Sequence, residues 1–227
     1  MKKILALLPL IGAFVLTGCG GEKEGGEGAQ GEKLPYTEEQ VRSNVKNLGE
    51  NDGYELSCEI SSSSMDEKQT YTVGMKGNFF WYSVQDNRML FNITEEGLLM
   101  YTYDDEQGEY EKGMLVPASM QDTYEKMFES YGNFMYVALD YQEMGDFTKV
   151  KETTFLGRAA IEYKCVYEAA GYGKGEYVLI LDKALGITLK WSGSAVDYQH
   201  NESGSGTYEV KSFKTGSDVS VPKHPEE

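Results

Sequence analysis

From Tyr54 onward this chain alternates apolar and polar residues with a period of two, segment after segment. Tyr54, Leu56, Cys58 and Ile60 are separated by Glu55, Ser57 and Glu59. The same alternation runs through Tyr71–Met75, Met89–Ile93, Leu99–Tyr103, Ile161–Tyr167 and Ile187–Trp191. Side chains on a strand point to opposite faces in turn, so each segment predicts a strand with one apolar face. Short polar turns separate them: Lys76-Gly77-Asn78, Asp86-Asn87, Glu95-Glu96-Gly97, Gly171–Gly175 and Asp182–Gly186. Consecutive strands joined by short turns pair antiparallel. About ten such strands are expected, in a sheet with one buried and one solvated face.

Two segments break the period. Thr37 and Gln40 have the spacing of a capping box, and Tyr36 with Val41 that of a hydrophobic staple. Val41, Val45 and Leu48 then fall on one helical face, and Gly49 is the expected stop. In mid-chain, Ser119 and Asp122 can cap a helix. Met120, Tyr124, Met127, Phe128, Tyr131, Met135 and Leu139 recur there at three- and four-residue intervals. The apolar sheet face needs a cover, and these two helices are the candidates. The fold class expected is α+β: a large curved antiparallel sheet, an incomplete barrel, with a short N-terminal helix and a central helical insert on its concave side.

The charge narrows the function. A net charge of −16 excludes the clustered positive charge of a nucleic-acid binder. His200 lies in a polar loop and His224 in the tail, neither beside a nucleophile pattern. No phosphate-cradling glycine loop, zinc-ligand spacing or nucleophile elbow is present. The acidic stretch Asp104–Glu111 lacks calcium-loop spacing and reads as a solvated turn. No catalytic residue, no metal and no cofactor are expected, and the chain reads as a non-enzyme.

The N-terminus carries an address. Lys2 and Lys3 precede an apolar run from Ile4 to Leu16, too short to span a bilayer. The run ends Leu16-Thr17-Gly18-Cys19, which resembles the lipobox of bacterial lipoproteins. That resemblance implies removal of residues 1–18, a diacylglyceryl group on Cys19, and anchoring to the extracytoplasmic face of a bacterial membrane, Gram-positive rather than Gram-negative. Residues 19–34 are the lipidated cysteine and a Gly/Glu-rich tether with too little apolar surface to fold. Residues 35–222 form the β domain and 223–227 a polar tail.

The order helix, strand meander, helical insert, strands is similar to the LolA/LolB-type lipoprotein-carrier fold, shared with mycobacterial lipid-binding lipoproteins. The segments Thr154–Arg158 and Leu181–Lys190, with Asp182, Gly186 and Lys190 evenly spaced, carry the likeness. It implies a curved sheet that holds an acyl chain beneath its helices. Nothing in this chain matches the arginine with which the carrier engages cargo, so carrier activity is not implied.

Inward parity selects Leu56, Val73, Met75, Phe91, Tyr101 and Trp191 from the sheet, and Met127, Phe128 and Tyr131 from the insert, as ligand-binding residues. Flexible methionines suit an adaptable apolar pocket. Cys58 and Cys165 share the apolar parity, and an exported protein can form disulfides, so they are a candidate bridge, the alternative being two separate buried thiols. The function expected is binding of a lipid or acyl chain. The alternative is a non-catalytic protein-interaction or envelope-sensing lipoprotein of the same fold.

Overall fold

The computed structural model describes residues 33–120, 133–136, 146–169 and 173–225. A 14-residue helix, α1 (Glu38–Asn51), opens the domain. Six strands follow as a meander: β1 (Tyr54–Ser62), β2 (Gln69–Lys76), β3 (Phe79–Val84), β4 (Asn87–Thr94), β5 (Gly97–Asp104) and β6 (Glu109–Pro117). Five more form a second meander: β7 (Asp146–Phe155), β8 (Arg158–Ala169), β9 (Gly173–Asp182), β10 (Thr188–Asp197) and β11 (Glu202–Thr215). The order across the sheet is β6-β5-β4-β3-β2-β1-β11-β10-β9-β8-β7. The two meanders are joined where β1 pairs with β11, and every pair is antiparallel. Strands β6 and β7 are the edges, so the sheet is not closed into a barrel.

The central helix expected over Met120–Leu139 falls mostly outside the described residues. Its two described pieces, Ala118–Met120 and Asn133–Tyr136, are short 3-10 turns.

Helix α1 starts as its sequence dictates. The Gln40 amide donates to Thr37 Oγ1 (3.2 Å), and the Thr37 amide donates to Gln40 Oε1 (2.9 Å). It does not stop at Gly49. It runs one turn further to Asn51, and the left-handed residue that ends it is Gly53 (φ +84°), whose amide donates to the Leu48 carbonyl (2.7 Å). Gly49 is instead a contact point, because a Cβ there would lie 2.5 Å from Met75 Sδ. The helix packs flat on β2 only because that side chain is missing.

The other end of α1 seats on the β9–β10 hairpin. Asp182 is buried there and accepts from the amides of Ala184 and Leu185 (both 2.9 Å) and from Arg158 Nε (2.5 Å). Buried carboxylates persist when paired and hydrogen-bonded in this way. Gly186 (φ +78°) turns the hairpin, and a Cβ on it would meet Val41 at 2.7 Å. Just upstream, Leu34 is only 5% exposed and packs with Phe147, Ile161 and Tyr163, so the residue expected to end the tether belongs to the core.

Register assigns the two faces. The inner face, on which α1 lies, carries Leu56, Cys58, Val73, Met75, Phe80, Tyr82 and Phe91 from the first meander. From the second it carries Tyr208, Trp191, Leu179, Tyr177, Tyr163, Cys165 and Phe147.

The outer face is not uniformly solvated. Trp81, Leu90, Leu99, Tyr101 and Tyr110 form a second core there, closed by Val219 of the C-terminal segment. Tyr101 pairs with Leu90, whereas Phe91 pairs with Met100. Tyr101 is therefore on the face opposite Phe91, a correction to the expected inward set. Strands β3 to β5 are apolar at both parities, so alternation could not assign their faces. The C-terminal segment is held as a strap. Lys76 Nζ donates to the Val219 carbonyl (2.6 Å), and Lys223 Nζ pairs with Glu109 (2.5 Å). The His224 ring lies 4.9 Å from that of Phe79 and 5.3 Å from that of Tyr101.

Candidate functional site

The site to consider is the inner face where β2, β1, β11 and β10 meet. Its floor on the β8–β11 side is aromatic, and it is low because glycines lie beneath the rings. Tyr167 is directly opposite Gly175, and Tyr177 opposite Gly193. A Cβ on Gly193 would fall 2.2 Å from the Tyr177 ring, one on Gly175 would fall 2.5 Å from Tyr167, and one on Gly206 would fall 2.9 Å from Trp191. Each ring thus lies across a neighbouring strand instead of standing off the sheet. The rings stack in a row, Tyr167 on Tyr177 (centroids 5.9 Å, planes 7° apart) and Tyr177 on Trp191 (5.2 Å, 24°). Offset stacking of this kind adds to the stability from area burial alone.

Above the middle of the sheet sits the Asn133–Tyr136 turn. Phe134 is 5.5 Å from the Tyr208 ring and 5.9 Å from the Tyr71 ring. The Arg42 guanidinium of α1 lies over the Tyr136 ring at 4.5 Å. Met135 is buried, whereas Met120 is 47% exposed.

Of the residues expected to bind ligand, Leu56, Val73, Met75, Phe91 and Trp191 share the inner face, and Tyr101 does not. Met127, Phe128 and Tyr131 lie outside the described residues, as does Cys19. Tyr208, Tyr177 and Phe134 were missed. Tyr208 and Val210 do alternate within β11, but surrounding serines and glycines mask the strand's apolar side.

Cys58 and Cys165 are both buried and both free. The candidate bridge is absent because β11, β10 and β9 separate β1 from β8. Four strand spacings are about 19 Å along the sheet, against the 7 Å or less that two bridged Cα atoms require. Burial pushes both thiols up to about 12, and Asp146 adds to the effect at Cys165. They stay protonated at neutral pH and are not nucleophiles. Burial likewise raises the phenols of Tyr208 and Tyr71, each with Cys58 contributing, and that of Tyr54, with Tyr136 contributing. Burial among apolar neighbours thus holds these thiols and phenols in their neutral forms at neutral pH.

The outer face of β8–β10 has a shallow depression of about 260 Å³, lined by Lys164, Glu176, Val178, Ser192 and Ser194 with parts of Tyr177 and Gly193. Lys164 and Glu176 form an ion pair across it (3.1 Å). Among the described residues no group of three or more metal-ligating side chains occurs, and no helix is long and apolar enough to cross a membrane.

No protein-family model and no curated protein matches this sequence. Solved structures share a likeness over about four fifths of it. The Mycobacterium tuberculosis lipoprotein LppX is 11% identical with a TM-score of 0.36, over 81% of this chain and 94% of that one. The LolA superfamily protein NE2245 of Nitrosomonas europaea is 9% identical with a TM-score of 0.24, over 77% of this chain and 93% of that one. MucB, in the Pseudomonas aeruginosa MucA/MucB complex, is 12% identical with a TM-score of 0.33 over 82% of this chain. In the MucB structures this chain spans 57–60% of the length of its counterpart.

Proposed function

We propose that this is an extracytoplasmic lipoprotein, anchored through a diacylated Cys19, whose domain holds a lipid or acyl chain against the inner face of its sheet and catalyses nothing on it. The observation that carries this reading is the glycine-lowered aromatic floor. A sheet face that only had to be sealed needs side chains that stand up and interdigitate with its cover. Here Gly175, Gly193 and Gly206 let the rings of Tyr167, Tyr177 and Trp191 lie flat. A floor set low in this way would leave depth for a flexible guest beneath its cover. The buried residues of the inner face are apolar or uncharged, so they offer an acyl chain an apolar bed. A chain of about 16 carbons gains on the order of 10 kcal/mol by burial before ordering costs.

Organic extraction of the purified full chain followed by mass spectrometry tests this. Co-purifying lipid, or uptake of a fluorescent alkyl probe, is the expected result. Absence of both would remove the reading. The anchor has its own test: fatty-acid labelling of the wild type and not of Cys19→Ser.

A second reading, a protein-interaction lipoprotein, draws on edge strand β6. Met114 and Leu115 are 59% and 44% exposed on a strand with one unpaired side, the arrangement that invites strand addition. A domain that binds no lipid but loses its partner on Met114→Lys would favour it.

A further inference from the structure

Trp191 and Tyr208 are register partners on β10 and β11, side by side on the inner face. The indole Nε1 and the phenolic oxygen are both sealed from solvent, and neither has a hydrogen-bond partner among the described residues. Tyr208 as a whole is 3% exposed. A buried donor without an acceptor is costly and rarely left so unless something supplies one. An indole N–H can only donate, so what is missing is an acceptor. Both donors are uncharged. They could not offset the desolvation of a carboxylate, but they suit a neutral oxygen.

We propose that Trp191 Nε1 and Tyr208 Oη are the polar anchor of the ligand site, donating to the uncharged carbonyl of an esterified acyl chain. This rests on the lipid-binding reading and specifies it: the guest is an acyl ester, not a bare hydrocarbon and not an ionised fatty acid. The anchor lies at the end of the aromatic row, where Trp191 stacks on Tyr177, and beneath Phe134. The hydrocarbon tail would run from it along the Tyr177–Tyr167 floor.

The test uses the purified full chain loaded with a fluorescent alkyl probe. Methyl palmitate and n-octadecane, delivered from cyclodextrin, compete for it. The wild type should prefer the ester roughly tenfold. Tyr208→Phe should lower ester affinity by about three- to tenfold and leave the alkane within about twofold, as expected for one hydrogen bond lost. On ester binding, the hydrogen-bond-sensitive indole band of the Raman spectrum should shift in the wild type and be missing from the Trp191→Phe difference spectrum. Without ligand, Tyr208→Phe should not melt below the wild type, because no bond is broken; a fall would mean that the protein itself supplies the acceptor, and would overturn the proposal. Equal competition by ester and alkane in the wild type would overturn the anchor and leave the apolar-ligand reading standing. Failure of the probe and both competitors to bind would overturn both.

Discussion

The two meanders are built alike and used differently. On β8 and β9 one face is core and the other is solvated. Inward Tyr163, Cys165, Tyr177 and Leu179 are buried, while outward Lys151–Glu162 and Lys164–Glu176 form ion pairs. On β3 to β5 both faces are core: Phe80, Tyr82 and Phe91 inward, Trp81, Leu90 and Leu99 outward. The difference is the strap. A sheet face can be apolar only if something covers it, and the C-terminal segment, with Val219 and His224, covers one half only. The half without a strap spends its inner face on an aromatic floor. We read the first meander as the anchor of the fold and the second as its binding side.

The largest contrast should come from outward residues. Leu90 is fully buried on the outer face of β4, and Leu90→Ala should cost about 2–5 kcal/mol. Val178, outward on β9, is 41% exposed, and Val178→Ala should stay within about 0.5 kcal/mol. Urea denaturation of the full chain measures both, and similar losses would break the comparison. Next is the strap itself. Ending the chain after Asp218 removes Val219, which is 2% exposed, and the acceptor of Lys76. A loss of roughly 2–3 kcal/mol is expected, with increased binding of a hydrophobic dye to the uncovered patch. A stable truncated chain that binds no dye would mean that the second core does not need its cover.

How far the residues could be read from sequence follows the same division. In β1, β8 and β10, apolar and polar residues alternate cleanly, and inward Leu56, Tyr163 and Trp191 were legible. In β3 to β5, runs such as Phe79–Tyr82 and Leu98–Tyr101 are apolar at both parities. Tyr101 was assigned to the wrong face for that reason. Pairing order was hidden for another. The long-range β1–β11 contact separates Cys58 from Cys165, and no local signal encodes it. The capping box was legible because it is local. Gly49 was misread because a glycine needed for close packing on Met75 looks the same as one needed for a left-handed turn. Of the register partners Trp191 and Tyr208, Trp191 was visible by its alternation and Tyr208 was lost among polar neighbours.

The buried thiols bear on both halves, Cys58 on the first meander and Cys165 on the second. Each is held protonated to about 12 in the folded chain, against an ordinary value of 9.0. The unfolded chain therefore releases these protons first. Their contribution to stability is complete below about pH 9 and is lost as pH rises toward 12. The buried phenols of Tyr54 and Tyr208 act in the same direction at higher pH. Urea midpoints should fall from about pH 9 upward toward pH 12, and less steeply in Cys58→Ala and Cys165→Ala. A flat profile would show that the inner face is wetter than described. Denaturation without reductant should leave both thiols open to alkylation, and a protected pair would restore the bridge.

The smallest effect expected is also the one that tests the solvated face of the second meander most directly. Lys164 and Glu176 sit on adjacent strands β8 and β9 with nitrogen and oxygen 3.1 Å apart, and their side chains are 50% and 66% exposed. Water screens both charges, and holding two long side chains in one geometry costs entropy. A double-mutant cycle of Lys164→Ala and Glu176→Ala should therefore yield a coupling of no more than about 0.5 kcal/mol, vanishing near 1 M salt, where the screening length falls to about 3 Å. The net charge of −16 makes the single variants unequal: Glu176→Ala relieves repulsion across the chain, whereas Lys164→Ala adds to it. A coupling well above 1 kcal/mol that survives salt would mean that this pair is shielded. The outer face of the second meander would then be covered in solution, as that of the first is by its strap, and the contrast between the two halves would fail.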